Sequence, residues 1–97
     1  MKEKRPCVYI LASQRNGTLY IGVTSDLIKR IAQHKDGTHE CFTSDYGVCL
    51  LFWFEMHGSM EAAITREKQL KKWRRAWKDA LIEKMKPEWT DLFVELV

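Results

Sequence analysis

Little in this chain could anchor it covalently or in a bilayer. Only three of its 97 residues are cysteines, Cys7, Cys41 and Cys49. Three thiols cannot all pair within one chain and none stands at CxxC spacing, so neither a disulfide framework nor a zinc ribbon is written here. A reducing cytoplasm is the expected compartment. The longest apolar run, Val48 to Phe54, is seven residues, against the ~20 that a bilayer crossing needs. The basic N-terminus leads into a strand-like segment instead of a signal peptide, so a soluble, unprocessed protein is expected. Internal repeats, low-complexity tracts and Gly/Ser linkers are all absent, and residues 1–97 read as a single domain.

What is present is a folding composition. The chain is 45% hydrophobic and 30% charged, with four tryptophans, three tyrosines and four phenylalanines, too apolar and aromatic for a disordered tail. Sixteen basic residues against 13 acidic ones leave a net charge of only +3. The excess is local. Arg66, Lys68, Lys71, Lys72, Arg74, Arg75 and Lys78 are interrupted by one acid, Glu67, a density that suggests a polyanionic partner.

Residues 7–12 (CVYILA) and 18–24 (TLYIGVT) are β-branched or aromatic runs on either side of Gln14-Arg15-Asn16-Gly17, and Asn-Gly is a strong hairpin signal. A two-residue turn at Asn16-Gly17 places 9 opposite 24 and 11 opposite 22. One face then carries Val8, Ile10, Ala12, Leu19, Ile21 and Val23, wholly apolar and therefore the core side. The other carries Tyr9, Leu11, Ser13, Tyr20, Gly22 and Thr24, a shallow hollow with a polar rim. A longer loop of the same parity keeps this partition.

Ser25 to His34 has Leu27, Ile28 and Ile31 at helical spacing, with Thr24 or Ser25 as N-cap. Arg30 and His34, four apart, share a face of that helix. Cys49 to Glu55 (CLLFWFE), apolar up to its final carboxylate, suits a strand buried on both faces. From the N-cap Ser59 a helix is expected to about Arg74, with the stripe Met60, Ala63, Ile64, Leu70, Trp73 and Trp77. Position 67 belongs to the stripe and is Glu67; a carboxylate where periodicity asks for an apolar side chain marks a candidate functional site. A short helix near Asp79 to Met85 and a last segment, Asp91 to Leu96, complete the order β-β-α-β-α-α, an α+β fold.

These segments resemble the GIY-YIG nuclease superfamily, in particular its small standalone bacterial members. Cys7-Val8-Tyr9 stands at the first tripeptide and Tyr20-Ile21-Gly22 reproduces the second. Thr24 to His34 looks like the segment bearing the family's arginine, and Arg66 to Lys71 like the helix bearing its metal-binding glutamate. Pro87-Glu88-Trp89-Thr90-Asp91-Leu92 resembles the small subfamily's C-terminal signature. The chain departs from the pattern at Cys7 for glycine, at Val8 for isoleucine, at Val23 where some relatives carry lysine and at Lys86 where the subfamily usually has asparagine.

The resemblance implies a three-stranded antiparallel sheet flanked by helices and a metal-dependent DNA endonuclease. Phosphodiester hydrolysis asks for a nucleophilic water, a proton acceptor, charge on the phosphorane and a cation at the leaving oxygen. By resemblance Tyr9 and Tyr20 activate water and orient phosphate, with Tyr9 favoured as base, and Arg30 clamps the non-bridging oxygens. Glu67 holds a single Mg²⁺ or Mn²⁺, and His34 assists proton transfer. Lys68, Lys71, Lys72, Arg74, Arg75 and Lys78 track the nucleic-acid backbone. Full-size relatives add a DNA-reading domain, so single-stranded or branched DNA is expected over long duplex sites.

Plainer readings stand beside these. The tyrosines also suit ordinary strands, Glu67 also suits an ion pair with Lys71, and Arg30 with His34 also suits a solvated helix face. Trp73 and Trp77 either pack in the core or offer a base-stacking surface. A zinc site from His34, His39, Cys41 and Cys49 fits no standard spacing; the cysteines read better as small buried hydrophobes. Two rival functions remain: a catalytically weak nucleic-acid-binding module, motivated by Val23 and Lys86, and a protein-interaction subunit.

Overall fold

A computed structural model describes residues 5–12, 19–36, 50–85 and 87–96. Three strands, β1 (Cys7–Ala12), β2 (Leu19–Thr24) and β3 (Leu50–Met56), form one antiparallel sheet in the order β2-β1-β3. Helices α1 (Leu27–Asp36), α2 (Met60–Lys72), α3 (Arg75–Met85) and α4 (Phe93–Leu96) flank it. The order is the β-β-α-β-α-α expected, with a final short turn of helix.

Because β1 is central, alternate residues feed two cores. Val8, Ile10 and Ala12 meet Ile21, Phe52, Trp53, Leu70 and Ile82 beneath α2 and α3. Cys7, Tyr9 and Leu11 meet Leu27, Ile31, Leu51 and Leu92 beneath α1 and α4. The two-faced partition expected of the hairpin holds. Its tyrosine face, however, is no shallow hollow, since Tyr9 and Leu11 are fully buried by the two helices. The register also differs: Tyr9 faces Gly22 and Cys7 faces Thr24, a displacement of two residues that preserves parity. Asn16-Gly17 lies outside the described residues, as do His39, Cys41, Cys49 and Lys86.

In β3 the pairing runs Ile10 to Trp53 but Leu11 to Leu51. Phe52 is the extra residue of a β-bulge, which lets Phe52 and Trp53 enter the same core although they are adjacent. The strand's outer edge is met by the C-terminal segment. Asp91 Oδ1 accepts the Leu51 N–H at 3.0 Å, and the Leu92 N–H donates to the Leu51 carbonyl at 2.8 Å. Trp89, at φ 55°, inserts its ring edge-on to Phe52 with centroids 5.2 Å apart. A non-glycine residue in the left-handed region costs roughly 1 kcal/mol or more, which this aromatic burial offsets.

Helix starts follow side-chain chemistry. At α1 the cap is Asp26, whose Oδ1 accepts the Lys29 N–H at 3.2 Å; Thr24 instead binds the Asp26 N–H through Oγ1 at 3.0 Å. The cap thus falls one or two residues after the positions expected from sequence, because Asp26 reaches the first turn and Thr24 secures the bend before it. At α2 the Ser59 hydroxyl accepts from the Ala62 N–H at 3.2 Å, as expected. That helix stops at Lys72, and α3 restarts at Arg75. The break changes the phase of the apolar stripe, so Trp77, expected inside, is exposed; Met60 and Ile64, also expected inside, are exposed on α2 itself, flanking the line of Ala63 and Leu70 that the helix buries.

Candidate active site

Tyr9, Tyr20 and Arg30 come together on the α1 side of the sheet. Strand alternation aims Tyr9 from β1 and Tyr20 from β2 to this side, with ring centroids 6.4 Å apart and planes tilted by 37°. Arg30 reaches the pair from the second turn of α1 and hydrogen-bonds Tyr9; having no acceptor, its guanidinium donates to the phenol oxygen. Gly22, opposite Tyr9 in the ladder, makes the arrangement possible. A Cβ at position 22 would stand 2.5 Å from the Tyr9 hydroxyl, 2.6 Å from Cζ and 3.1 Å from Cε1 of Tyr20. Gly22 is required by the space the phenol occupies.

The two phenols live in different surroundings. Tyr9 is 0% exposed, while Tyr20 is 38% exposed. Burial, reinforced by the neighbouring Tyr20, pushes the Tyr9 hydroxyl up to about 12, and the charge and hydrogen bond of Arg30 only partly offset this. Tyr9 therefore keeps its proton near neutral pH. Burial likewise pushes the Cys7 thiol up to about 12, leaving an inert apolar side chain, as its sequence context suggested.

Glu67 occupies the buried stripe of α2, between Ala63 and Leu70, and its side chain is 18% exposed. Its carboxylate meets Lys71 Nζ at 3.4 Å. Helix α2 packs over β2 and β1 with Leu70 in the core opposite Tyr9. The tyrosine–arginine cluster and Glu67 thus belong to elements on different faces of the sheet. Among the described residues no group of three or more His, Cys, Asp or Glu side chains converges as a metal cluster. His34 lies in α1, one turn beyond Arg30.

Of the basic residues, Lys68, Lys71, Lys72, Arg74 and Arg75 are exposed and Lys78 is half-buried. Arg66 is engaged elsewhere. Its Nε is 3.2 Å from Glu55 Oε1, which also lies 2.8 Å from His57 Nε2, and its guanidinium sits 5.1 Å from the Trp73 ring centroid. The sequence reading missed Asp91 as the residue that ties the C-terminal segment to β3. It also missed Gly22 as clearance for Tyr9, since a register set by Asn16-Gly17 places Thr24 there.

Comparison with known proteins gives the chain a family. The GIY-YIG catalytic domain family matches residues 5–80, and the chain belongs to the GIY-YIG family. Within it, the similar relatives are UPF0213 proteins. That of Bacillus pumilus (strain SAFR-032) is 31% identical over 86 residues, covering 89% of this chain and 88% of the relative. That of Streptococcus pyogenes serotype M5 is 36% identical, covering 74% and 77%. The solution NMR structure of a UPF0213 protein from Bacillus halodurans superposes with a TM-score of 0.51 at 30% identity, covering 81% of this chain and 83% of that one. The fold and the family expected from the motifs are both found, and membership makes the chain nuclease-like with a nucleic acid as the implied substrate.

Proposed function

We propose that the chain is a metal-dependent endonuclease that hydrolyses phosphodiester bonds in DNA and favours single-stranded or branched substrates. The observation carrying this reading is the Arg30 guanidinium, hydrogen-bonded to the buried Tyr9 phenol beside the exposed Tyr20. A planar fork fixed on one side suits the non-bridging oxygens of a phosphodiester, which gain charge as the phosphorane forms. Tyr20 is the phenol that solvent and substrate can reach, so orienting the attacking water falls to Tyr20, which would take up the water's proton only once its own phenolic proton has passed to solvent. Tyr9, sealed and protonated, holds Arg30. This reverses the weighting that the sequence gives the two tyrosines. His34 would relay a proton from the same helix.

Nucleases of this family generally use a divalent cation. Glu67 fits one: its carboxylate is half-buried, and its contact with the exposed Lys71 ammonium is a loose 3.4 Å. A lone carboxylate suits Mg²⁺ or Mn²⁺, hard cations that otherwise keep their waters. When bound, such an ion would supply charge at the leaving oxygen of a phosphodiester lying across the β2 edge, which separates Glu67 on the α2 side from Tyr20 and Arg30 on the other. Lys68, Lys71, Lys72, Arg74, Arg75 and Lys78 would follow the phosphate backbone, which carries most of the affinity for a flexible strand.

One observation favours a second reading, a nucleic-acid-binding module with weak turnover: a single carboxylate and a sealed Tyr9 are a sparse catalytic set. Labelled single-stranded, duplex and branched DNA, each with Mg²⁺, Mn²⁺ or EDTA, decide between the two beside a Glu67→Ala control. Cleavage that needs metal and Glu67 supports the endonuclease. Salt-sensitive binding without cleavage of any substrate supports the module.

A further inference from the structure

Trp77 is 53% exposed, an unusual position for a side chain whose burial is worth so much. It is nevertheless held in place. The Trp73 ring and the Trp77 ring stand edge to face at 5.9 Å and 86°, and the Arg74 guanidinium lies over one face of Trp77, 5.5 Å from its centroid, so that a base would stack on the ring surface Arg74 leaves exposed. Trp73 is fixed in turn by Arg66. At the start of α3 the N–H groups of Trp77 and Lys78 both donate to the Arg74 carbonyl, at 3.1 and 3.2 Å. Arg74, Trp77 and Lys78 therefore share one helix face. They lie in a stretch from 66 to 78 with seven cations and one acid.

We infer that Trp77 is a stacking platform for an unpaired base of single-stranded DNA, with Arg74 and Lys78 receiving the phosphates on either side. The inference rests on the proposed function only in its nucleic-acid half. Charge complementarity selects the occupant, since an apolar protein segment would gain nothing from this density of cations, whereas a strand offers a phosphate for each base. A ring already immobilised by Trp73 and Arg74 loses little freedom when a base stacks on it. A base inside a duplex presents no free face, so the platform discriminates for single strands without reading sequence.

The test is binding of fluorescein-labelled oligo(dT) and of a matched duplex, by anisotropy in EDTA so that no cleavage intervenes. Trp77→Ala should weaken oligo(dT) binding by roughly fivefold or more and leave duplex binding within twofold. Trp77→Phe, which keeps an aromatic face, should recover most of the loss, and matched circular dichroism melts should show that both variants fold. The salt dependence separates stacking from charge. In log–log form the slope should be unchanged in Trp77→Ala and smaller by about 0.7 in Lys78→Ala, as one phosphate contact is lost. Equal losses on both substrates, or none on oligo(dT), would overturn the platform, as would unchanged binding with altered sedimentation, which assigns Trp77 to a protein contact. Absence of binding in the wild type would overturn the nucleic-acid reading itself. Binding by the wild type here, with no cleavage in the parallel assays containing Mg²⁺ or Mn²⁺, would remove only the nuclease.

Discussion

Gly22 lies directly across the β1–β2 ladder from Tyr9, and the phenol fills the space that any side chain at position 22 would need. Gly22→Ala should therefore cost about 1–3 kcal/mol, the usual penalty of overpacking a closed site. Urea denaturation measures it. In a Tyr9→Ala background the same substitution should cost much less, because the atoms it meets are gone. Equal costs in the two backgrounds would show that the close approach does not constrain the fold.

Asp91 Oδ1 accepts from both the Leu51 and the Phe93 N–H groups, at 3.0 and 3.1 Å. Asp91→Ala leaves the N–H of a fully buried residue without its acceptor and should destabilise by about 1–3 kcal/mol. Asp91→Asn retains an oxygen and should lose less. Amide exchange at Leu51 is the local readout: protection should fall in Asp91→Ala more than at Ile10 in the central strand.

Alkaline pH should weaken the fold along a defined course. Tyr9 and Cys7 both hold their protons to about pH 12 when folded, against ordinary values of about 10 and 8.5 in the unfolded chain. Above those values the unfolded state binds fewer protons, so stability falls with rising pH and is fully present only below them. Each group contributes a slope of about 1.4 kcal/mol per pH unit, Cys7 from near pH 9 and Tyr9 from near pH 10. Urea midpoints between pH 8 and 11 should show the decline. Cys7→Ala should remove its part of the slope, and an unchanged slope would count against the burial of that thiol as its cause.

On the proposed endonuclease reading, Arg30→Lys should not preserve cleavage. A lysine keeps the charge but loses the planar fork and its bond to Tyr9, and a fall of roughly 10²-fold or more in kcat is expected, comparable to losing one donor to a developing oxyanion. Single-turnover cleavage with substrate binding measured in parallel separates this from weaker affinity. A variant that loses only affinity would reduce Arg30 to a binding contact.

Much of this was legible in the residues, and the failures have physical reasons. Alternation alone sorted the hairpin into its two faces, because parity survives any even slip. The opposing pairs did not survive it, and with them went the partnership of Tyr9 and Gly22. The stripe argument located Glu67 correctly between Ala63 and Leu70. Extended past the helix end at Lys72, it failed for Trp77, since a break of two residues resets the phase and periodicity carries no information across it. The cap of α1 was misplaced because Thr24, Ser25 and Asp26 are all capable N-caps. Which one serves depends on where the strand releases the chain. Asp91 read as part of a family signature, but its role is long-range, 40 residues from Leu51, and local pattern cannot register that.

The stitch between β3 and the C-terminal segment also sets an order of events. Edge strands that are apolar and unguarded invite pairing with other chains, and β3, with the sequence LLFWFEM, is such a strand. Its guard comes 40 residues later in the chain. During synthesis β3 can leave the ribosome while Asp91 and Leu92 are still inside its exit tunnel, so the nascent domain passes through an interval in which β3 is open to neighbours on the same message. The residues that close the fold are then as much a safeguard of the protein's solubility during its birth as a contribution to its final stability.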